Sequence, residues 1–312
     1  MTDTARPHLE IREVGLRDGL QLEDPVPLAA KLALLDAIAV TGVREIEATS
    51  FVSPTAVPAF ADAEELAAHL HRWPDITFSA LVASPNGARR AVTSNVVNLE
   101  YVVSATDAHS AANVRRTTEE ALTAVSVIAD LAHGAGGTAE VIIAVAWDCP
   151  FSGRVDADHT AEIARRAVEA GADRISFGDT IGTVVPGRMT QLLDVVGAVA
   201  PGVELGVHLH NTRGIGLASA WAAYQAGVTR FDASFGGLGG CPFAPGATGN
   251  IATEELAYMF DESGVDTGVG IDAVLDAVAV LRDVVGHDLS SNLFRAHVAG
   301  AERVAARGRA QR

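Results

Sequence analysis

A short apolar strand, a polar turn and an amphipathic helix recur eight times along this chain, and no other feature narrows the fold as much. Strand-like runs are read at 9–14, 45–48, 76–82, 97–103, 139–146, 174–177, 203–210 and 230–234. Helix-like runs fall at 27–40, 60–72, just after Pro85, and at 111–133, 157–170, 187–199, 216–226 and 253–262. Apolar residues at helical spacing mark them, and stops such as Gly42, Gly134 and Pro201-Gly202 end them. Strands alternating with helices pair in parallel through right-handed crossovers, and eight such units predict a TIM (β/α)8 barrel. A doubly wound open sheet would carry a glycine-rich phosphate turn after its first strand, and Gly15-Leu16-Arg17-Asp18-Gly19 is not one. Two helices remain, at 272–285 and 291–306. The expected organisation is one domain over 1–312, with the barrel at 9–262 and additional C-terminal helices at 271–306.

Composition limits the partners. The chain has 312 residues, 48% of them hydrophobic and 20% charged, enough to build a sizeable core. No apolar run is long enough to span a bilayer, and the first residues lack a basic stretch followed by an apolar one, so a cytoplasmic location is expected. A net charge of -16 argues against nucleic acid and anionic membranes as partners, though local arginines could still bind a phosphorylated ligand. Two cysteines, Cys149 and Cys241, cannot make a disulfide framework.

In a barrel the chemistry sits at the C-terminal ends of the strands. Those ends read Arg17-Asp18, Glu47, Ser176 and Asp179, His208 and His210, then a glycine-rich loop with Cys241 and Asn250. Residues i and i+2 of a strand share a face, so His208 and His210 are expected to project together. With Asp18 they supply one carboxylate and two imidazoles, a set suited to a divalent cation with open positions, and Asn250 could add an amide oxygen. The oxygens lean towards Mg²⁺ or Mn²⁺ and the imidazoles towards Zn²⁺ or Co²⁺.

Five stretches carry a resemblance. They are Gly15-Leu16-Arg17-Asp18-Gly19-Leu20-Gln21, Ile46-Glu47-Ala48-Thr49-Ser50-Phe51-Val52-Ser53-Pro54, Gly178-Asp179-Thr180-Ile181-Gly182, His208-Leu209-His210-Asn211-Thr212, and the loop from Gly236 to Asn250 around Cys241. In order and spacing they resemble the 3-hydroxy-3-methylglutaryl-CoA lyases. The Arg-Asp and His-x-His pieces also occur in related condensing enzymes, whereas the cysteine loop is similar to the lyases alone.

The resemblance implies cleavage of a 3-hydroxy-3-alkylglutaryl-CoA to acetyl-CoA and a β-keto acid, with a divalent metal cation as cofactor, an acyl-CoA as small-molecule partner and a homodimer as assembly. It implies metal ligation by Asp18, His208, His210 and Asn250. It also implies catalytic roles for Arg17, Glu47, Asp179, His208 and Cys241, with Gln21, Ser50, Asn113, Ser176 and Thr180 joining Arg17 at the substrate. Cys241 is the family's carbon acid. Departures stand at Asn211, Arg213, Thr55-Ala56 and Ala146-Trp147-Asp148, and they bear on substrate identity rather than reaction class. A condensing enzyme or aldolase of the same superfamily is the alternative. Arg89, Arg90, Arg115 and Arg116 are candidate contacts for the CoA phosphates.

Overall fold

The structure, a computed structural model, describes residues 9–240 and 249–310, with side chains through 301 and at 303. Cys241, an expected catalytic residue, lies outside the described residues. Eight parallel strands close into a barrel: β1 (Glu10–Glu13), β2 (Glu45–Phe51), β3 (Thr77–Val82), β4 (Asn98–Ser104), β5 (Ala139–Ala144), β8 (Arg174–Asp179), β9 (Glu204–Leu209) and β10 (Arg230–Ala233), in the order β1-β10-β9-β8-β5-β4-β3-β2. Two short strands, β6 (Asp148–Cys149) and β7 (Gly153–Arg154), form an antiparallel hairpin above β5 that the sequence pattern did not announce. Because helices cover the outside, both faces of each strand are buried, and strand residues are inaccessible almost throughout.

The helices are α1 (Leu28–Ala39), α2 (Ala63–Ala67), α3 (Pro85–Thr93), α4 (Asp107–Val114), α5 (Thr118–Leu122), α6 (Val125–Gly134), α7 (Ala157–Glu169), α8 (Pro186–Val199), α9 (Gly216–Gln225), α10 (Thr253–Glu262), α11 (Ile271–Val285) and α12 (Asn292–Ala310). Two expected helices are corrected. The run at 111–133 is three helices, because Arg115 turns left-handed (φ 58°) and closes α4 with its N–H on Ala111 O. Thr117 then starts α5 with a capping box, its side chain accepting from Glu120 N while Glu120 accepts from Thr117 N. The run at 60–72 contracts to α2 between two tight turns. There Asp62 caps nothing; its carboxylate is held by Lys31, the chain's only lysine, whose buried Nζ donates to Asp62 Oδ1 at 2.6 Å and to Ala59 O at 2.8 Å.

Two details of the strand ends shape the rim. β2 continues past its expected end at 48 to Phe51, with a bulge against β3 between Glu47 and Thr49. β5 stops at Ala144, since Val145 has φ 51° and gives its N–H to Thr180 Oγ1 at 2.9 Å. After the barrel, α11 packs on α1 and on the turn Phe235–Gly237, and α12 packs on α10 and α11. Gly236 and Gly237 have φ 66° and 67°, and a Cβ on Gly236 would lie 2.4 Å from Leu289, so only glycine fits there. Among the described residues no helix is long and apolar enough to cross a membrane.

Candidate active site

Asp18, His208 and His210 converge at the C-terminal rim, all buried. β9 delivers His208 from its penultimate residue, and His210 follows one residue past the strand, bridged to Asn250. Asp18 comes from a single π-helical turn, Gly15–Gly19, that closes β1. His208 Nε2 lies 3.3 Å from His210 Nε2, and Asp18 Oδ2 lies 3.9 and 3.8 Å from those two nitrogens. Three donors about 2.0–2.2 Å from one ion stand roughly 3.0–3.5 Å apart, so the set fits a cation after small adjustments.

Asn250 strengthens that fit. Its Nδ2 donates to Asp18 Oδ2 at 2.8 Å and to Leu238 O at 3.0 Å, which fixes the amide orientation. Its Oδ1 is buried and, among the described residues, has no hydrogen bond. A buried acceptor lacking a partner is costly, and a cation would satisfy it. Asn250 does not cap α10: the cap position is Ala252, with no side-chain cap bond.

Arg17 lies against this cluster, with Nη1 2.6 Å from Asp18 Oδ1 and Nε 2.6 Å from Glu47 Oε2. The Nε–H is not aimed at that oxygen, so the second contact is an ion pair by distance only. Burial opposes the charge on Arg17, but Glu47 and Asp18 outweigh it and keep the guanidinium charged. Burial would also lift Asp18, yet Arg17 and the two imidazoles hold it far below the usual carboxylate range. For Glu47, burial pushes the pKa well up, Arg17 pulls against it and Glu100 pushes it further. His208 is drawn down by burial and more than restored by Asp232 and Asp18, ending above its ordinary value.

A cavity of about 150 Å³ opens over these groups. Arg17, Asp18, His208 and His210 form one side, and Leu81, Val102, Ile142 and Ala144 form an apolar wall opposite. This geometry belongs with a family whose sequence model, described as HMGL-like, matches residues 8–281. The chain belongs to the HMGL-like family. It is 36% identical over 295 residues to the mitochondrial hydroxymethylglutaryl-CoA lyase of Macaca fascicularis, spanning 94% of this chain and 91% of that one. It is 38% identical to the (R)-citramalyl-CoA lyase of Chloroflexus aurantiacus, spanning 92% of this chain and 94% of that enzyme. An HMG-CoA lyase of Acinetobacter baumannii, solved with coenzyme A and 3-methylmalate, superposes with a TM-score of 0.88 at 37% identity over 95% of this chain and 97% of that one.

The other expected residues of this HMGL-like protein divide into two groups. Gln21, Asn113 and Thr180 line the cavity. Ser50, Ser176, Glu47 and Asp179 are buried but are not among its lining residues. Ser50 donates to Leu81 O at 3.2 Å, and among the described residues the Ser176 hydroxyl, beside Gly206, has no hydrogen-bond partner. Asp179 turns its carboxylate onto Thr183 N at 2.8 Å and Val184 N at 3.0 Å, and burial raises it despite those bonds. Arg90 is engaged by Glu64 and by Val52 O, while Arg89 and Arg115 are exposed. Sequence reasoning missed Asp232, whose Oδ2 is 3.0 Å from His208 Nδ1. It also missed His109, a cavity residue bonded to Ser104 Oγ at 2.8 Å and lowered by burial to about 4. A single Asp or His inside an apolar strand or helix offers no motif, so neither had a signal of its own.

Proposed function

We propose that this protein is a carbon–carbon lyase that cleaves 3-hydroxy-3-methylglutaryl-CoA to acetyl-CoA and acetoacetate. The observation that carries the reading is the convergence of Asp18, His208 and His210 beside Arg17 under one cavity. Asp18, His208, His210 and Asn250 Oδ1 are the groups that would hold a divalent cation, Mg²⁺ or Mn²⁺ in preference to Zn²⁺ or Co²⁺. When bound, the cation supplies Lewis acidity that makes a tertiary hydroxyl easier to deprotonate.

The remaining work falls to the chain. Arg17 is pinned by Asp18 and Glu47 on two sides, and among the described residues its Nη2 has no hydrogen bond, so Nη2 is the donor left for the thioester oxygen. As the C–C bond breaks, negative charge gathers on that oxygen, and a fixed guanidinium stabilises it most at that moment. Leu81, Val102, Ile142 and Ala144 exclude water from the 3-alkyl side. Carbon protonation is assigned to Cys241, because Gly240, its chain neighbour, lines the cavity and a thiol with ordinary pKa about 8.5 is protonated at neutral pH. Asp179 holds the turn that carries Thr180 into the cavity wall.

The test is acetyl-CoA release from a panel of thioesters with Mg²⁺ and Mn²⁺, including 3-hydroxy-3-methylglutaryl-CoA, longer 3-alkyl homologues and citramalyl-CoA. Highest kcat/KM for the methylglutaryl thioester supports the reading. Preference for citramalyl-CoA would reassign the substrate while keeping the reaction class, and no release from any thioester would overturn both.

A further inference from the structure

Beneath the donor cluster the barrel interior is filled by charge, where branched apolar layers are the rule. Arg12 sits at its centre, 5% exposed. Its Nε and Nη2 donate to the two oxygens of Asp232 at 2.8 and 3.0 Å. Its Nη1 and Nη2 donate to the two oxygens of Glu140 at 2.7 and 3.0 Å. Nη1 also lies 2.8 Å from Glu100 Oε1. Four N–H groups of the guanidinium thus donate to two carboxylates while a third carboxylate lies at ion-pair distance, a fork that lysine cannot reproduce.

One of those carboxylates leads up to the rim. Asp232 Oδ2 accepts from His208 Nδ1 at 3.0 Å. With the ring proton on Nδ1, the Nε2 lone pair is turned to the side where Asp18 Oδ2 and His210 Nε2 lie. The chain of contacts from Arg12 therefore ends on a cation ligand.

We propose that Arg12 is a positioning residue for this reaction: through Asp232 it orients His208. The proposal rests on the functional reading above. Neither strand geometry nor burial fixes an imidazole's rotation or its tautomer, whereas a carboxylate pinned at both oxygens does both.

Mn²⁺ affinity is measured on metal-stripped protein by calorimetry, with circular dichroism to confirm the fold. Asp232→Asn is expected to weaken Mn²⁺ binding by about 10- to 100-fold with the fold retained. Arg12→Lys is expected to weaken Mn²⁺ binding in the same direction. If Arg12→Lys does not fold, the charge-balanced pair Arg12→Met with Glu140→Gln takes its place, with the same defect expected. Wild-type Mn²⁺ affinity in Asp232→Asn, or in the folded Arg12 variant, overturns the proposal. Wild-type protein that binds no divalent ion overturns the functional reading and this proposal with it, whereas normal wild-type binding with indifferent variants overturns this proposal alone.

Discussion

Replacing Glu13 with Gln should stabilise the protein, and increasingly so as pH rises. Glu13 closes β1 fully buried, with Oε1 accepting from Gly15 N at 2.8 Å and Phe235 N at 3.0 Å. Oε2 shares a 2.5 Å hydrogen bond with Thr253 Oγ1. Among the described residues no cation balances it, and burial carries its pKa from 4.5 to about 8 against the pull of those three bonds. A carboxyl raised in the folded state costs nothing below pH 4.5, where both states are protonated. Stability is then lost as pH climbs, because the unfolded chain ionises and the folded one does not, and the loss levels off above pH 8. At about 1.4 kcal/mol per tenfold in proton affinity, the penalty is about 3.5 kcal/mol at pH 7 and about 5 above pH 8, as upper limits. Glutamine keeps every contact of the neutral acid: its oxygen replaces Oε1, and its NH₂ donates to Thr253 Oγ1. Urea unfolding of both proteins at pH 5, 7 and 8.5 measures the difference. Glu254, raised by burial to about 7, adds its own slope to both proteins, and its charge is one of the causes that raise Glu13. Parallel stability curves, or a Gln variant weaker at every pH, would refute the assignment of a neutral Glu13.

Three predictions concern the site. His210→Ala should lose most bound Mn²⁺ by calorimetry while circular dichroism shows an intact fold, and full occupancy in that variant would remove His210 from the ligand set. Arg17→Gln should lower kcat by about 10²- to 10³-fold with KM little changed, the scale for losing one oxyanion donor; a defect confined to KM would reduce Arg17 to substrate binding. It should also lower stability, since Asp18 and Glu47 lose their counter-ion. Cys241→Ala should bind metal and substrate nearly normally yet turn over at least about 10²-fold more slowly. Substrate should shield Cys241 from alkylation without changing the behaviour of Cys149, which is buried and accepts from Thr106 Oγ1 at 3.1 Å.

The legible part of this protein was whatever repeats or ends an element. The alternation of strands and helices led to the closed barrel, and the i, i+2 spacing of His208 and His210 led to paired imidazoles at a strand end. Helix 111–133 misled because apolar spacing ran through a boundary that Arg115's left-handed turn and the Thr117–Glu120 capping box impose. The capping box was written in the sequence, but it was outvoted by periodicity. Charge inside the barrel was the least legible. Arg12, Glu100, Glu140 and Asp232 sit in strands buried on both faces, so a polar residue there does not announce which side it faces. Their partners lie as far as 220 residues away in sequence, beyond any local pattern. Asp179 shows the converse: its motif was plain, yet its carboxylate is turned onto Thr183 and Val184 N–H groups.

The most direct test of the whole account is a metal titration of turnover. Protein stripped with a chelator is given 3-hydroxy-3-methylglutaryl-CoA, Mn²⁺ is added back stepwise, and acetyl-CoA, acetoacetate and free CoA are each quantified. The account predicts no conversion without Mn²⁺, and with it acetyl-CoA and acetoacetate in equal amounts, restored in wild type and not in His210→Ala. Cleavage at full rate by stripped protein, or release of free CoA in place of acetoacetate, would contradict it.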